Sequence, residues 1–144
     1  MKKTYIIPEK EIKRKWYIVD ASNKILGRLS FQVADLLRGK GKSHWSPHQD
    51  VGDYVVIINA TKIKVTGKKM EDKKYYRHSG YPGGLKTETL AEKMRKDPTS
   101  VIRDAIWGMV PHNRLGRKII TKLKIYPGST HRQKSQKLEE YQIN

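Results

Sequence analysis

A strand–helix–strand alternation in the first sixty residues, closed by a continuous apolar run, constrains the fold of this chain most. Asp53-Tyr54-Val55-Val56-Ile57-Ile58-Asn59-Ala60 shows no polar alternation, as expected of a strand covered on both faces. Trp16-Tyr17-Ile18-Val19 reads as a shorter buried strand ending at Asp20. Between them Leu26, Leu29, Val33, Leu36 and Leu37 fall at helical spacing. They predict an amphipathic helix from about Gly27 to Arg38, stopped by Gly39 and Gly41. Asp20 to Lys24 is a turn cluster, with Asn23 expected in the left-handed region. Parallel strands need a crossover, and this helix supplies one. The pattern predicts an α/β chain with a parallel sheet between helical layers.

Further on, short strands are predicted through Ile63 and Val65 and through Tyr75 and Tyr76, and Tyr81-Pro82-Gly83-Gly84 breaks regular structure. Thr87 is expected to cap a helix through about Lys96, with Leu90, Ala91 and Met94 on one face. Asp97-Pro98 opens another helix, striped by Val101, Ile102, Ala105, Ile106 and Met109 and ended by Pro111. A third, near Leu115 to Leu123, leads into a short strand, Lys124-Ile125-Tyr126. From Pro127 to Asn144 the chain is polar and poor in aliphatics, and is expected to order only on a partner. With no repeat and no second core, the reading is one domain over residues 1–126, including a short N-terminal extension, and a basic polar tail over 127–144.

Charge points to the partner. Lys and Arg number 31 against 14 Asp and Glu, a net charge of +17 on 144 residues with a pI near 10.1. Solubility needs only about 2–8 charges in a small domain. Self-repulsion of this size favours a polyanionic partner. A membrane surface would call for an amphipathic anchor or a lipidation site, and neither is seen. The start, Met-Lys-Lys-Thr-Tyr-Ile-Ile-Pro, lacks the apolar core of a secretory signal, so an intracellular protein is expected. Absence of cysteine excludes disulfides and thiolate zinc sites and fits a reducing compartment.

The cations are clustered. From Ala105 through Leu138 there is no Asp or Glu, while Arg114, Arg117, Lys118, Lys122, Lys124, Arg132, Lys134 and Lys137 fall in that stretch. A second cluster is Arg38, Lys40, Lys42 and His44. A third is Lys68, Lys69, Lys73, Lys74, Arg77, His78 and Lys86, interleaved with Tyr75, Tyr76 and Tyr81. Solvated surfaces normally mix signs. Uncompensated cations beside aromatics suit RNA, whose phosphates pair with Lys and Arg and whose splayed bases stack on rings. Core packing is the competing explanation for Tyr75 and Tyr76, because strand neighbours point to opposite faces.

Catalytic and cofactor readings fail on spacing. Gly39-Lys40-Gly41-Lys42-Ser43 ends like a nucleotide phosphate loop, but the glycine required five residues before Gly41 is Leu36. The segment also follows a helix instead of opening one. His44 and His48 are separated by Pro47, which argues against a shared helical face, and no carboxylate pattern supports a metal. Asp50 and Asp53 are better read as caps of a turn and a strand start than as an acid–base pair. No nucleophile elbow, helix-turn-helix or RNP-type strand motif is found. No enzyme activity and no cofactor are expected.

Four segments in register resemble a known family. They are Trp16 to Ala21 continuing to Leu26-Gly27-Arg28-Leu29, then Gly52 to Ala60 followed by Val65-Thr66-Gly67-Lys68-Lys69. Next come Tyr75 to Lys86, and last Gly108-Met109-Val110-Pro111 with Leu115-Gly116-Arg117 and Leu123 to Gly128. Together they resemble the bacterial large-subunit ribosomal protein thirteen (L-thirteen) family over nearly the whole chain. Trp107 departs from the pattern, where a basic or aliphatic residue is usual. The resemblance implies a three-layer α/β/α domain in the ribosome of a bacterial cytoplasm or organelle, with a role early in subunit assembly. Implied partners are large-subunit ribosomal RNA and neighbouring ribosomal proteins; the chain's own messenger RNA stays open as a further partner. The residues expected at the RNA are Arg28, Arg38, Lys40, Lys42, His44, Lys68, Lys69, Arg77, His78, Lys86, Arg114, Arg117, Lys118, Arg132 and Lys134.

Overall fold

A computed structural model describes residues 6–143. Strand β1, Trp16–Asp20, ends in a turn where the Asp20 carboxylate accepts the Ser22 N–H at 2.9 Å and Asn23 takes φ 59°. Helix α1, Leu26–Arg38, buries Leu26, Leu29, Val33, Ala34 and Leu37. It stops at Gly39, whose φ of 75° is the left-handed conformation that glycine adopts without strain. Strand β2, Tyr54–Ile58, lies parallel to β1 with Ile18 opposite Val56, and Val55, Val56 and Ile57 are fully buried. The continuous apolar run is therefore a central strand.

The rest of the chain builds outward from this unit. Helix α2, Lys69–Asp72, precedes an antiparallel hairpin of β3, Lys74–His78, and β4, Leu85–Thr89. Helices α3, Leu90–Lys96, α4, Pro98–Trp107, and α5, Arg114–Thr121, follow, and α4 packs on both α1 and α3. Strand β5, Leu123–Ile125, pairs parallel to β2, and β6, Leu138–Glu140, pairs parallel to β1. The sheet order is β5-β2-β1-β6. This is the expected α/β/α class of domain: a small, mainly parallel sheet flanked by helices.

Four local expectations need correction. No strand runs through Ile63 and Val65; Ala60–Lys62 forms a 3-10 turn, and only a single bridge links Ile25 to Lys64. The cause lies at Asn59, in the left-handed region, after which Asn59 and Ala60 donate to the Gly128 and Tyr126 carbonyls and turn the chain aside. Thr87 does not cap a helix. It sits in β4 opposite Tyr76, while Thr89 caps α3. A helix can begin only where the hairpin pairing ends, and Thr89 with Glu92 makes a reciprocal capping box there.

The third correction concerns the end of the chain. Residues 138–143 pack on the body instead of awaiting a partner. Trp16 to Ile18 offer an open sheet edge, β6 fills it, and Ile143 is buried. The few apolar residues there are spaced to reach the core, and the Lys24 ammonium donates to the Ile143 carbonyl at 2.5 Å.

Pro111 is also not the stop of α4. That helix ends at Trp107, and Val110 donates back to the Trp107 carbonyl in the turn that follows. The Trp107 ring lies 4.7 Å from the His112 ring, so its ring partner is within the chain.

Candidate nucleic-acid interface

The loop after α1 is pinned inward by buried charge. A Cβ on Gly52 would lie 1.6 Å from the Leu37 carbonyl oxygen, so only glycine allows the loop to return this close to α1. Beside it the Asp53 carboxylate accepts the Lys15 N–H at 2.8 Å and the Lys42 ammonium at 2.6 Å. Lys42 also donates to the Val51 and Lys13 carbonyls. Lys122, 5% exposed, pairs with Asp50 and donates to the Leu37 carbonyl. Burial holds its ammonium below the ordinary lysine range, while Asp50 pulls it back up. Asp53 sits at the strand start as read, Asp50 holds an ammonium instead of capping a turn, and the two aspartates engage two lysines that the charge pattern had assigned to phosphates.

The neighbouring basic residues differ in exposure. Lys40 is exposed, with Asp35 3.4 Å from its ammonium. Arg38 is half-buried and lines a shallow groove with Trp45, Pro111 and Leu115, which sets it beside the start of α5. His44 is half-buried, and its Nε2 is enclosed with no hydrogen-bond partner among the described residues.

Helix α5 carries the densest patch. Asn113 caps it by accepting the Gly116 N–H at 2.7 Å. Gly116 and Ile119 are buried, which turns Arg114, Arg117 and Lys118 outward at the i, i+3, i+4 positions of one exposed face. None of the three has an acidic partner among the described residues. Arg38 borders α5 through Leu115 and Ile119, although it lies far from that helix in the sequence.

A second region gathers Arg28 and Lys69, which line one groove with Lys73 and Met109, and Lys68 stands exposed beside them. The hairpin extends from it. Arg77 and Lys86 are directly opposite each other across the strands, and neither has an ion-pair partner among the described residues. Like charges so placed repel and favour an intervening anion. His78 is exposed, and its Nδ1 accepts the Gly80 N–H at 2.9 Å. Tyr75 is half-buried against the core, with the Lys93 ammonium 4.1 Å and the Lys73 ammonium 5.3 Å from its ring centre. Lys93 had no place in the sequence reading, because it reaches Tyr75 from another helix and only the fold brings them together.

Arg132 and Lys134 are exposed on the connection between β5 and β6, where Gln133 between them accepts the Tyr126 hydroxyl at 2.8 Å. No group of His, Asp and Glu side chains among the described residues is placed to hold a metal ion. No helix among the described residues is long and apolar enough to cross a membrane.

The fold and surface define a class: a strongly basic α/β protein presenting uncompensated cations in separate regions. Comparison with known proteins narrows it. A protein-family model described as Ribosomal protein L13 matches residues 14–132. The chain is 50% identical over 144 residues to "Large ribosomal subunit protein uL13" of Trichormus variabilis, covering 100% of this chain and 95% of that one. It is 52% identical to the protein of the same name from Symbiobacterium thermophilum, covering 99% of this chain and 100% of that one. For that of Syntrophomonas wolfei the identity is 53%, over 95% of each chain. The chain belongs to the ribosomal protein L13 family, a family of structural ribosomal proteins and not of enzymes.

Proposed function

We propose that this chain holds together separate segments of large-subunit ribosomal RNA, acting early while the subunit assembles. Family membership makes it a structural constituent of the large ribosomal subunit, at work in the ribosome. Support for RNA binding comes chiefly from the Arg114, Arg117 and Lys118 face of α5, three exposed cations on one side of a helix whose other side is packed. The region around Arg28 and Lys69 and the connection bearing Arg132 and Lys134 supply further sets of phosphate ligands. Several such surfaces on one compact body can neutralise more than one RNA segment and screen their mutual repulsion. Neighbouring ribosomal proteins are the other expected partners. The chain's own messenger RNA gains no support from the geometry or from the relatives.

Neutralising phosphates releases condensed counterions, so affinity should fall by about 0.7–0.9 log units per log unit of salt for each phosphate contacted. Arg114, Arg117 and Lys118 replaced together by Ala should flatten that slope by roughly two to three units on transcribed large-subunit RNA. Thermal stability should be unchanged, because all three side chains are exposed. An unaltered slope would remove α5 from the interface.

A further inference from the structure

We propose that the outward face of the β3–β4 hairpin stacks an unpaired RNA base on Tyr76 and His78. This rests on the RNA-binding reading above and adds a second mode of contact to it.

Residues directly opposite in an antiparallel pair share a face. The register sets Tyr76 opposite Thr87 and His78 opposite Leu85, so these four share one face, while Tyr75, Arg77 and Lys86 lie on the other. Tyr75 is turned toward the core, which turns Tyr76 away from it. Tyr76 is 67% exposed and Leu85 59%. A monomer gains nothing in folding from a tyrosine and a leucine left so open.

The two rings occupy alternate positions of one strand, about 6.7 Å apart along the chain. That is about twice the spacing of stacked rings and leaves room for one planar base between or across them. His78 is restrained by the Gly80 N–H, which occupies Nδ1 and leaves the proton of the neutral ring on Nε2, free to donate. The charge around the face argues for nucleic acid over protein. Lys74 shares this face and has no ion pair among the described residues, and Arg77 and Lys86 put two more such cations on the reverse face of the same hairpin, whereas protein interfaces are depleted in lysine. A duplex keeps its bases inside the stack, so this surface fits nucleotides in a loop, bulge or end.

The test uses the whole chain with two probes, a twelve-nucleotide oligoadenylate and a twelve-base-pair RNA duplex, followed by fluorescence anisotropy at fixed salt. Tyr76→Ala should weaken binding of the single strand about 5- to 100-fold, with Tyr76→Phe close to the parent. Duplex affinity and the salt slope should be unchanged in both variants. Arg77→Ala with Lys86→Ala should weaken both probes and flatten the slope, which reports phosphate binding separately. Equal loss on both probes for Tyr76→Ala, or no loss on either, would overturn the stacking assignment while leaving the RNA-binding reading standing. So would intact RNA binding with loss of a co-purifying protein, which would make the face a protein contact. Failure of the parent chain to bind either probe would instead strike the RNA-binding reading itself.

Discussion

At Lys42 and Lys122 the meaning of a positive charge depends on what the fold sets beside it. Both lie in stretches whose sequence suggests phosphate binding, yet both ammonium groups are enclosed by carboxylates and backbone carbonyls. Nothing local in the sequence marks them apart from Lys40 or Lys118, because Asp53 and Asp50 come from a different part of the chain. Asp53 itself was legible, since an acid just before an apolar run commonly caps the strand start, whereas Asp50 engages Lys122 and not a turn N–H. Lys42→Ala would leave Asp53, whose side chain is 5% exposed, without its cation. The expected cost is about 3 kcal/mol in denaturant unfolding, with the salt slope for RNA unchanged. A flattened slope with full stability would show that Lys42 reaches phosphates after all.

Elements were legible where the local pattern and the tertiary context agree. β1, α1 and β2 follow from periodicity and a glycine stop, and Asp97-Pro98 opens α4 as read. The hairpin was only half seen. Tyr75 and Tyr76 announce a strand, but Leu85 to Thr89 gains its strand character from pairing with them, which moves the helix cap from Thr87 to Thr89. This distinction is measurable: Thr89→Ala should cost about 1 kcal/mol, and exposed Thr87→Ala within about 0.5 kcal/mol. The reverse order would restore the cap to Thr87. The last strand, β6, was invisible for a related reason, since Leu138 to Glu140 has no strand signal of its own and takes the conformation of the β1 edge it joins.

The start of α4 carries a pH signature of its own. The Thr99 hydroxyl, together with the Ser100 and Thr99 N–H groups, holds the Asp97 carboxyl below its ordinary 3.8, against a smaller opposing effect of burial. A depressed folded value means that its stabilisation is present above pH about 4 and is lost as pH falls through the folded value. Asp97→Asn should therefore make unfolding less sensitive to acid in that window, seen as converging melting temperatures below pH 4. Parallel curves for the two proteins would remove Asp97 as a contributor.

At the scale of the whole molecule, a net charge of +17 and the absence of any enzyme motif made RNA the natural partner before any fold was considered. What sequence could not supply was grouping. Arg28 and Lys69 lie far apart in the chain and line one groove, and Arg38 comes to lie against Leu115 and Ile119 of α5, because α1 is the common neighbour of later elements. The central claim is that these regions hold the protein in the large subunit as a structural part. The most direct measurement is a sucrose gradient of cell lysate in moderate salt, repeated after a high-salt wash, with this protein quantified in each fraction. Near one copy per large subunit, retained through the wash, is the expected result. Protein found mainly in the light fractions would contradict the account and leave a basic RNA-binding domain without a ribosomal place.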